Sequence, residues 1–255
     1  GYVTVQITAL ADGGHSSAPP RESATVRLSR ALVALDENQM PADLSASPTS
    51  DMMQVVAADM GFVQRMALAN QWLLGGLVES GFAASPQGNA MIRTTTAPTM
   101  LAGSAKENVL AQRATALVNF RVHPNNTVQD VLDHIGDVTS DIEGIEYAPA
   151  EGSMGSEASP VSAVDNRAYG VLHAVASEVG NGAPVTPALV IGATDARYAS
   201  AITDDVYRFA PSIVGPADLA GFHGTNERLS VANMGNLSRS YAQIVMAMDA
   251  PEDGE

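Results

Sequence analysis

Hydrophobic and polar residues alternate at the start of this chain, and the pattern then changes to helical spacing. Residues 2–9 place Val3, Val5 and Ile7 on one face, which predicts a half-buried β-strand. From residue 21 to about 37 the apolar positions recur near helical intervals, directly after a pair of prolines. We therefore expect the sequence to open with a strand followed by an amphipathic helix.

The next part of the chain alternates between loop, helix and strand patterns. Residues 41–50 have the composition of a linker, and the Met-, Ala- and Leu-rich stretch over about 51–82 predicts two or three helices. Strand patterns return over 91–100 and 109–122.

A helix over about 128–138 and a short strand at 145–147 complete the first half of the sequence. Strands that come with few intervening helices are typical of an α+β domain. We expect an antiparallel sheet with helices on one face and a helical insertion.

The second half has a different pattern. A Gly-, Ser- and Pro-rich stretch at 149–160 predicts a domain boundary. Beyond it we expect a helix over about 163–179, strand-like runs at 187–191 and 206–209, and a long helix over about 230–248. This alternation is typical of half of an α/β domain, since about ninety residues are few for a complete one.

Composition excludes several classes of function. The chain of 255 residues has 13 Lys and Arg against 28 Asp and Glu, a net charge of −15, and Lys106 is its only lysine. No basic surface is available for nucleic acid, and an anionic membrane would repel the chain. No apolar run reaches the roughly 18–20 residues of a membrane span.

The chain contains no cysteine. Disulfides, thiolate metal sites and cysteine nucleophiles are therefore excluded, and any metal must be bound by His, Asp or Glu. The absence of cysteine fits a periplasmic or secreted protein but does not require one.

Two of the five histidines lie in glycine-flanked loops. His15 and His223 have this setting, which lets a ligand approach closely. His134 and His173 fall on predicted helices, and His123 at a strand end, where a purely structural role is expected.

Three other polar positions are candidates on their place in the predicted fold. Asp195 and Arg197 follow a strand-like run, where α/β folds place ligands, although a local ion pair is the alternative. Asn108 opens a strand, and its alternative is an ordinary turn residue.

Four short motifs occur in one order along the sequence. They are residues 13–19 (Gly-Gly-His-Ser-Ser-Ala-Pro), 108–110 (Asn-Val-Leu), 192–197 (Gly-Ala-Thr-Asp-Ala-Arg) and 223–227 (His-Gly-Thr-Asn-Glu). In this order they resemble the co-catalytic zinc peptidases that include carboxypeptidase S, aminoacylase, carnosinase and succinyl-diaminopimelate desuccinylase. The resemblance is nearest to carboxypeptidase S and its N-acyl-amino-acid relatives.

The resemblance implies a division into two domains. Residues 1–150 would form the family's lid or dimerisation domain, with a helical insertion at about 41–89, and residues 157–250 the C-terminal part of its catalytic domain. The family's His-x-Asp motif and Glu-Glu pair precede the lid, and neither occurs in this sequence. We therefore expect the chain to be a C-terminal portion that lacks the main metal-binding half and is inactive alone.

The resemblance also assigns roles to single residues. His223 would be the last zinc ligand, and His15 would donate to the oxyanion in the active site of a partner subunit. Asn108 and Arg197 would bind the substrate's carboxylate. The remaining positions carried over from the family are Thr194 and Asp195, which shape the loop of Arg197, and Arg121, a further substrate-binding candidate.

The function implied is that of a homodimeric, zinc-dependent carboxypeptidase or N-acyl-amino-acid amidohydrolase. Its substrate would be a peptide or N-acyl amino acid, cleaved at an amide next to a free carboxylate, with two zinc ions in the full-length protein. Two alternatives stay open. The same fold could serve as a non-catalytic dimerisation module, or the chain could be a small acidic binding protein in which both loop histidines are incidental.

Overall fold

The structure is a computed structural model that describes residues 1–153, 155–215, 218, 221–222 and 224–251. It divides into two compact units, described separately below. Unit 1 comprises Gly1–Ala46 and Ala69–Pro160, and unit 2 comprises Ser47–Leu68 and the residues described after 160. The stretch 41–89, expected as an insertion of the first domain, is thus shared between the two units.

The helices and strands are as follows. In chain order the strands are β1 (Tyr2–Leu10), β2 (Gly14–His15), β3 (Thr95–Ala102), β4 (Val109–Leu110), β5 (Arg113–Arg121) and β6 (Ile145–Pro149). The helices are α1 (Ala24–Glu37), α2 (Thr49–Val56), α3 (Phe62–Ala69), α4 (Gln71–Ala83), α5 (Pro86–Ile92), α6 (Val128–Thr139), α7 (Arg167–Val179), α8 (Ala196–Ala199) and α9 (Val231–Asp249). A 3-10 turn at Ala57–Asp59 follows α2. None of the described helices is both long and apolar enough to cross a membrane.

Unit 1 is built on a four-stranded antiparallel sheet in the order β3–β5–β1–β6, against which α1 and α6 pack. A separate two-stranded ladder joins β2 to β4. The α+β architecture expected from the sequence is confirmed. Two boundaries differ: residues 91–92 end α5, so that the strand expected from 91 begins at 95, and the strand expected over 109–122 is divided into β4 and β5.

The core of unit 1 follows from the strand and helix periodicities. Val5 pairs with Val118 and Val3 with Phe120, and all four side chains are fully buried. The helices cover this layer with residues at helical spacing: Leu28, Ala31 and Leu35 of α1, and Val131 and Ile135 of α6. Full burial of one such large side chain contributes roughly 1.5–3 kcal/mol.

A glycine sets the geometry where the chain enters β6. Gly144 has a φ of +73°, and its carbonyl accepts a hydrogen bond from the Leu10 amide at 2.8 Å. A Cβ at this position would lie 2.6 Å from the Leu10 carbonyl oxygen. Both the backbone conformation and the close approach therefore require glycine here.

Unit 2 combines helices with extended segments. Helix α7 packs against α9, and the Arg167 guanidinium donates to the Ala247 carbonyl at 2.8 Å. The strands expected at 187–191 and 206–209 are wrong, because neither segment forms a ladder in the part of unit 2 that the structure describes. At the second of these, the Val206 amide donates to the Ser162 hydroxyl at 2.8 Å instead of to a neighbouring strand.

Candidate functional site

The small β2–β4 ladder brings two of the predicted site residues together. His15 pairs with Val109, and Gly14 pairs with Leu110. The next amide along the chain, that of Ser16, donates to the Asn108 carbonyl at 3.1 Å. His15 and Asn108, which are far apart in the sequence, therefore lie side by side at one end of unit 1.

The chain around this ladder is held by a glycine and a turn. A Cβ on Gly13 would lie 2.7 Å from the Gln112 Cγ and 3.2 Å from the Leu110 carbonyl oxygen, so a larger residue here would displace the Gln112 side chain and shift the two segments slightly apart. On the other side, the Val109 amide donates to the Lys106 carbonyl at 3.3 Å, which closes a turn containing Asn108.

Local hydrogen bonds set the orientation of the His15 ring. Its Nδ1 accepts from the Ser17 backbone amide at 3.2 Å and lies 2.8 Å from the Ser17 hydroxyl. Because Nδ1 accepts, the proton of the neutral ring is on Nε2. The side chain is exposed, and Nε2 has no partner among the residues that the structure describes. His15 therefore presents an available N–H donor.

Asn108 is also available for a ligand. Its backbone carbonyl is engaged by Ser16, but its side-chain amide bonds to none of the described residues. Beside it lies an open cavity of about 410 Å³, lined by Thr25, Ser104–Glu107 and Val109–Ala111. Lys106 and Glu107 are the charged residues in this lining.

Arg121 lies at the opposite end of β5 from this ladder. Its guanidinium sits over the Tyr2 ring, 4.9 Å from the ring centre. The nine residues of β5 span about 25 Å, so that a single chain does not bring Arg121 to His15 and Asn108.

Three predicted residues lie together in one turn of unit 2. Asp195 precedes α8, and the Thr194 carbonyl accepts from the Arg197 amide at 3.3 Å. The Thr194 hydroxyl accepts from the Arg208 Nε at 3.3 Å. Within the described residues, no ion pair joins Asp195 to Arg197, so the local ion pair considered as their alternative role does not form.

The Arg197 guanidinium is exposed and rests on its neighbour. It lies 4.7 Å from the centre of the Tyr198 ring and donates to the Tyr198 hydroxyl at 2.6 Å. Stacking on an aromatic face leaves the other edges of a planar guanidinium open to a carboxylate.

The predicted metal ligand His223 lies outside the described residues. Across the ranges that are described, no group of three or more His, Asp or Glu side chains is arranged to hold a metal ion. The described residues therefore do not by themselves provide a metal centre. What they offer a substrate is hydrogen-bond donors and positive charge.

The other three histidines have local contacts within the fold. The His134 Nε2 lies 2.7 Å from the Asn38 carbonyl oxygen, and His173 lies beside the Tyr169 ring. His123 is buried at the end of β5, and its backbone amide donates to the Thr94 hydroxyl at 2.9 Å. Burial lowers the pKa of the His123 imidazole, so the neutral form is favoured in the folded chain.

Two features of the site escaped sequence reasoning. Ser17, which orients the His15 ring, follows it by two residues, and Lys106, which lines the cavity, precedes Asn108 by two residues. Short-range side-chain to backbone contacts of serine are a known local signal. For Lys106, the available signal was that it is the only lysine in the sequence.

A family model for the peptidase dimerisation domain of M20 peptidases matches residues 1–143. The chain belongs to the M20 peptidase family. The family identified from the four motifs is thus confirmed, and the named relatives below are hydrolases of this family.

Two named relatives show the range of similarity. The chain is 35% identical over 251 residues to the N-fatty-acyl-amino acid synthase/hydrolase PM20D1.1 of Danio rerio, a match that covers 98% of the chain and 48% of the relative. It is 29% identical to the probable carboxypeptidase S-like 2 of Dictyostelium discoideum, over 96% of the chain and 46% of the relative. The chain thus spans about half the length of the relatives it matches.

Solved structures share the fold at low sequence identity. The M20 family metallo-carboxypeptidase Sso-CP2 of Sulfolobus solfataricus is 15% identical with a TM-score of 0.56, over 96% of this chain and 57% of that one. The di-peptidase Dug1p from Saccharomyces cerevisiae is 12% identical with a TM-score of 0.54, over 98% of this chain and 55% of that one.

Proposed function

We propose that this chain is the C-terminal portion of a zinc-dependent carboxypeptidase or N-acyl-amino-acid amidohydrolase. On this proposal residues 1–150 form its lid and dimerisation domain, and residues 157–250 form part of its catalytic domain. The names of the relatives, a fatty-acyl-amino-acid hydrolase and a carboxypeptidase S-like protein, support this class of substrate. The bond cleaved is an amide next to a free carboxylate.

The observation that carries the proposal is the orientation of His15. With Nδ1 accepting from Ser17, the Nε2 proton points away from its own loop toward solvent-accessible space. An N–H donor of this kind stabilises the negative charge that develops on the carbonyl oxygen during amide hydrolysis, and losing one such donor costs about 10²–10³ in rate.

Binding of the substrate's carboxylate is assigned to Asn108 and Arg197. The unengaged amide of Asn108 supplies an N–H donor next to His15, and the Arg197 guanidinium supplies a planar, permanently charged partner. Thr194 and Asp195 hold the turn on which Arg197 lies. These residues fix the orientation of the substrate, which is the part of catalysis that this chain provides.

The position of Arg121 supports a dimeric enzyme. Arg121 and His15 lie at opposite ends of unit 1, so a small substrate that contacts both side chains must bind between two copies of the chain. A match to a dimerisation domain is consistent with this arrangement. We therefore propose a homodimer in which His15 and Asn108 of one copy act in the site of the other.

The zinc ions belong to the full-length protein on this proposal. The described residues offer no ligand set, and His223 is the one family ligand position present in this sequence. We therefore propose that the 255-residue chain is inactive alone and that the remaining ligands lie in the other half of the enzyme.

The experiment uses the full-length protein that contains this chain. We expect His15→Ala to lower kcat for an N-acyl amino acid by about 10²–10³ with little change in KM, because the donor acts on the transition state. His173→Ala is the matched control, since its ring contacts Tyr169 and is assigned no role in the reaction. Full activity in His15→Ala, or no hydrolysis by a dimeric wild-type protein, would contradict the proposal and favour a non-catalytic dimerisation module.

A further inference from the structure

The cavity beside Asn108 contains the only lysine of a strongly acidic chain. We propose that Lys106 binds a carboxylate of the substrate in this cavity and thereby determines which substrates are preferred. The inference rests on the proposed function, and it adds a residue that the family motifs did not supply.

The backbone places Lys106 at a fixed position next to the site. Its carbonyl closes the turn that contains Asn108, and the strand that follows this turn pairs with His15. Lys106 and Asn108 are therefore two residues apart in one turn, and Lys106 lines the cavity next to this turn. On the proposal, a substrate held by Asn108 extends into this cavity and meets the Lys106 ammonium there.

The charge of Lys106 is uncompensated in the described structure. Three arginines of unit 1 have carboxylate partners: Arg27 pairs with Glu143 at 2.9 Å, Arg93 with Glu79 at 2.5 Å, and Arg30 with Glu22. Arg113 instead donates to the Thr8 hydroxyl, and Arg121 lies over the Tyr2 ring. The Lys106 ammonium bonds to none of the described residues. In a chain of net charge −15, an ammonium without an ion-pair partner attracts an anionic group at short range, against the opposing charge of Glu107 in the same lining.

The cavity has the size and lining that a small carboxylate needs. Its volume of about 410 Å³ is within the usual range of ligand pockets, roughly 300–1,000 Å³. Thr25 and Ser104 also line it. The Thr25 hydroxyl lies 3.0 Å from the Ser23 hydroxyl, whereas the Ser104 hydroxyl accepts from the Lys106 amide and can still donate to an anion. Val109 and Leu110 form an apolar wall beside these polar groups.

Glu107 lines the same cavity and has the opposite charge. It repels a bound carboxylate, whereas Lys106 attracts it. The two neighbouring residues are therefore expected to have opposite effects on binding, which separates a charge effect from a general disturbance of the loop.

The carboxylate can come from two parts of the substrate, the α-carboxylate or an acidic side chain. N-lauroyl-L-glutamate and N-lauroyl-L-glutamine distinguish them, because the pair differs only in the side-chain group, an anionic carboxylate in one and a neutral amide in the other. A loss of affinity for both substrates assigns Lys106 to the α-carboxylate, and a loss confined to the glutamate assigns it to the side chain.

The test compares variants of the full-length dimer, with circular dichroism and size-exclusion chromatography to establish that each is folded. We expect Lys106→Gln to lower kcat/KM about tenfold through KM, with kcat nearly unchanged. Lys106→Arg should retain most of the activity, and Glu107→Gln should lower KM about twofold. The control Arg30→Gln removes the same charge from an exposed ion pair and should leave both parameters unchanged.

Three results would overturn the inference. If Lys106→Gln matches the Arg30→Gln control on both substrates while the wild type is active, Lys106 binds no carboxylate and the proposed function stands. If Glu107→Gln raises KM as much as Lys106→Gln does, loop geometry rather than charge is responsible. If the wild type hydrolyses neither substrate nor any other N-acyl amino acid, the proposed function fails and the inference fails with it.

Discussion

Unit 1 and unit 2 differ in how far they bury their own apolar side chains. In unit 1 the sheet and two helices enclose a continuous core, with Val3, Val5 and Phe120 at 0% exposure. In the described part of unit 2 the buried hydrophobic side chains are Met53, Ala67 and Val175.

Large apolar side chains are exposed in both units, and in unit 1 Trp72 is 83% exposed and Leu101 68%. The two most exposed of the described large apolar side chains belong to unit 2. Val231 is 91% exposed, Ile202 88% and Met246 73%. Apolar surface of this kind is characteristic of a face that contacts another part of a protein. What distinguishes unit 1 is a core of its own, as in an independent domain, whereas the described part of unit 2 buries few apolar side chains. We propose that the other half of the full-length enzyme covers these faces.

The mutation with the largest expected effect on stability tests this difference between the two units. Phe120→Ala removes a fully buried ring from unit 1 and should lower the free energy of unfolding of the 255-residue chain by about 3–5 kcal/mol. Phe62→Ala, in unit 2, removes a ring that is 72% exposed and should change it by less than about 0.5 kcal/mol. Urea unfolding followed by circular dichroism measures both. Equal losses would contradict the contrast between the units.

Most of unit 1 could be predicted from the sequence because its strands and helices bury regular apolar faces. Strict alternation in β1 and helical spacing in α1 specify buried faces, and these faces dominate the packing. The ladder of β2 with β4 is two residues long in each strand, and it joins segments far apart in sequence. Such pairing depends on tertiary contacts rather than on local pattern, so only the family motifs suggested that His15 and Asn108 act together.

Unit 2 was predicted less well, and the failure has a physical cause. A run such as 206–209 has strand composition, but a strand forms only where a neighbour accepts its hydrogen bonds. In the structure Ser162 satisfies the Val206 amide, and the segment stays extended without a ladder. The same applies to 187–191, for which the described residues offer no partner strand.

A smaller effect concerns the pH dependence of unit 1. Burial lowers the pKa of His123 below its ordinary value of 6.5, against smaller opposing influences from a hydrogen bond to the Met91 backbone and from the Asp43 charge. The unfolded chain therefore binds a proton more readily, and stability is full above about pH 6.5 and decreases as the pH falls toward the lowered pKa.

Unfolding midpoints in urea at about pH 7.5 and about pH 5.5 measure this effect, since these values lie on either side of the ordinary histidine pKa. We expect the wild type to lose stability at the lower pH, and His123→Gln to lose less, because glutamine does not titrate. An unchanged pH dependence in the variant would show that other groups are responsible. The exposed Phe62→Ala variant should keep the wild-type pH dependence and serves as the control.

The central claim is that His15 of one copy and Arg197 of the other act on one substrate, and a subunit-mixing experiment tests it most directly. Full-length His15→Ala and Arg197→Ala proteins, each nearly inactive, are mixed and allowed to exchange subunits. If the two residues act across the dimer, half of the sites in each mixed dimer are intact, and activity should return to about a quarter of the wild-type rate. If exchange is verified and no activity returns, His15 acts within its own chain or not at all, and the account is contradicted.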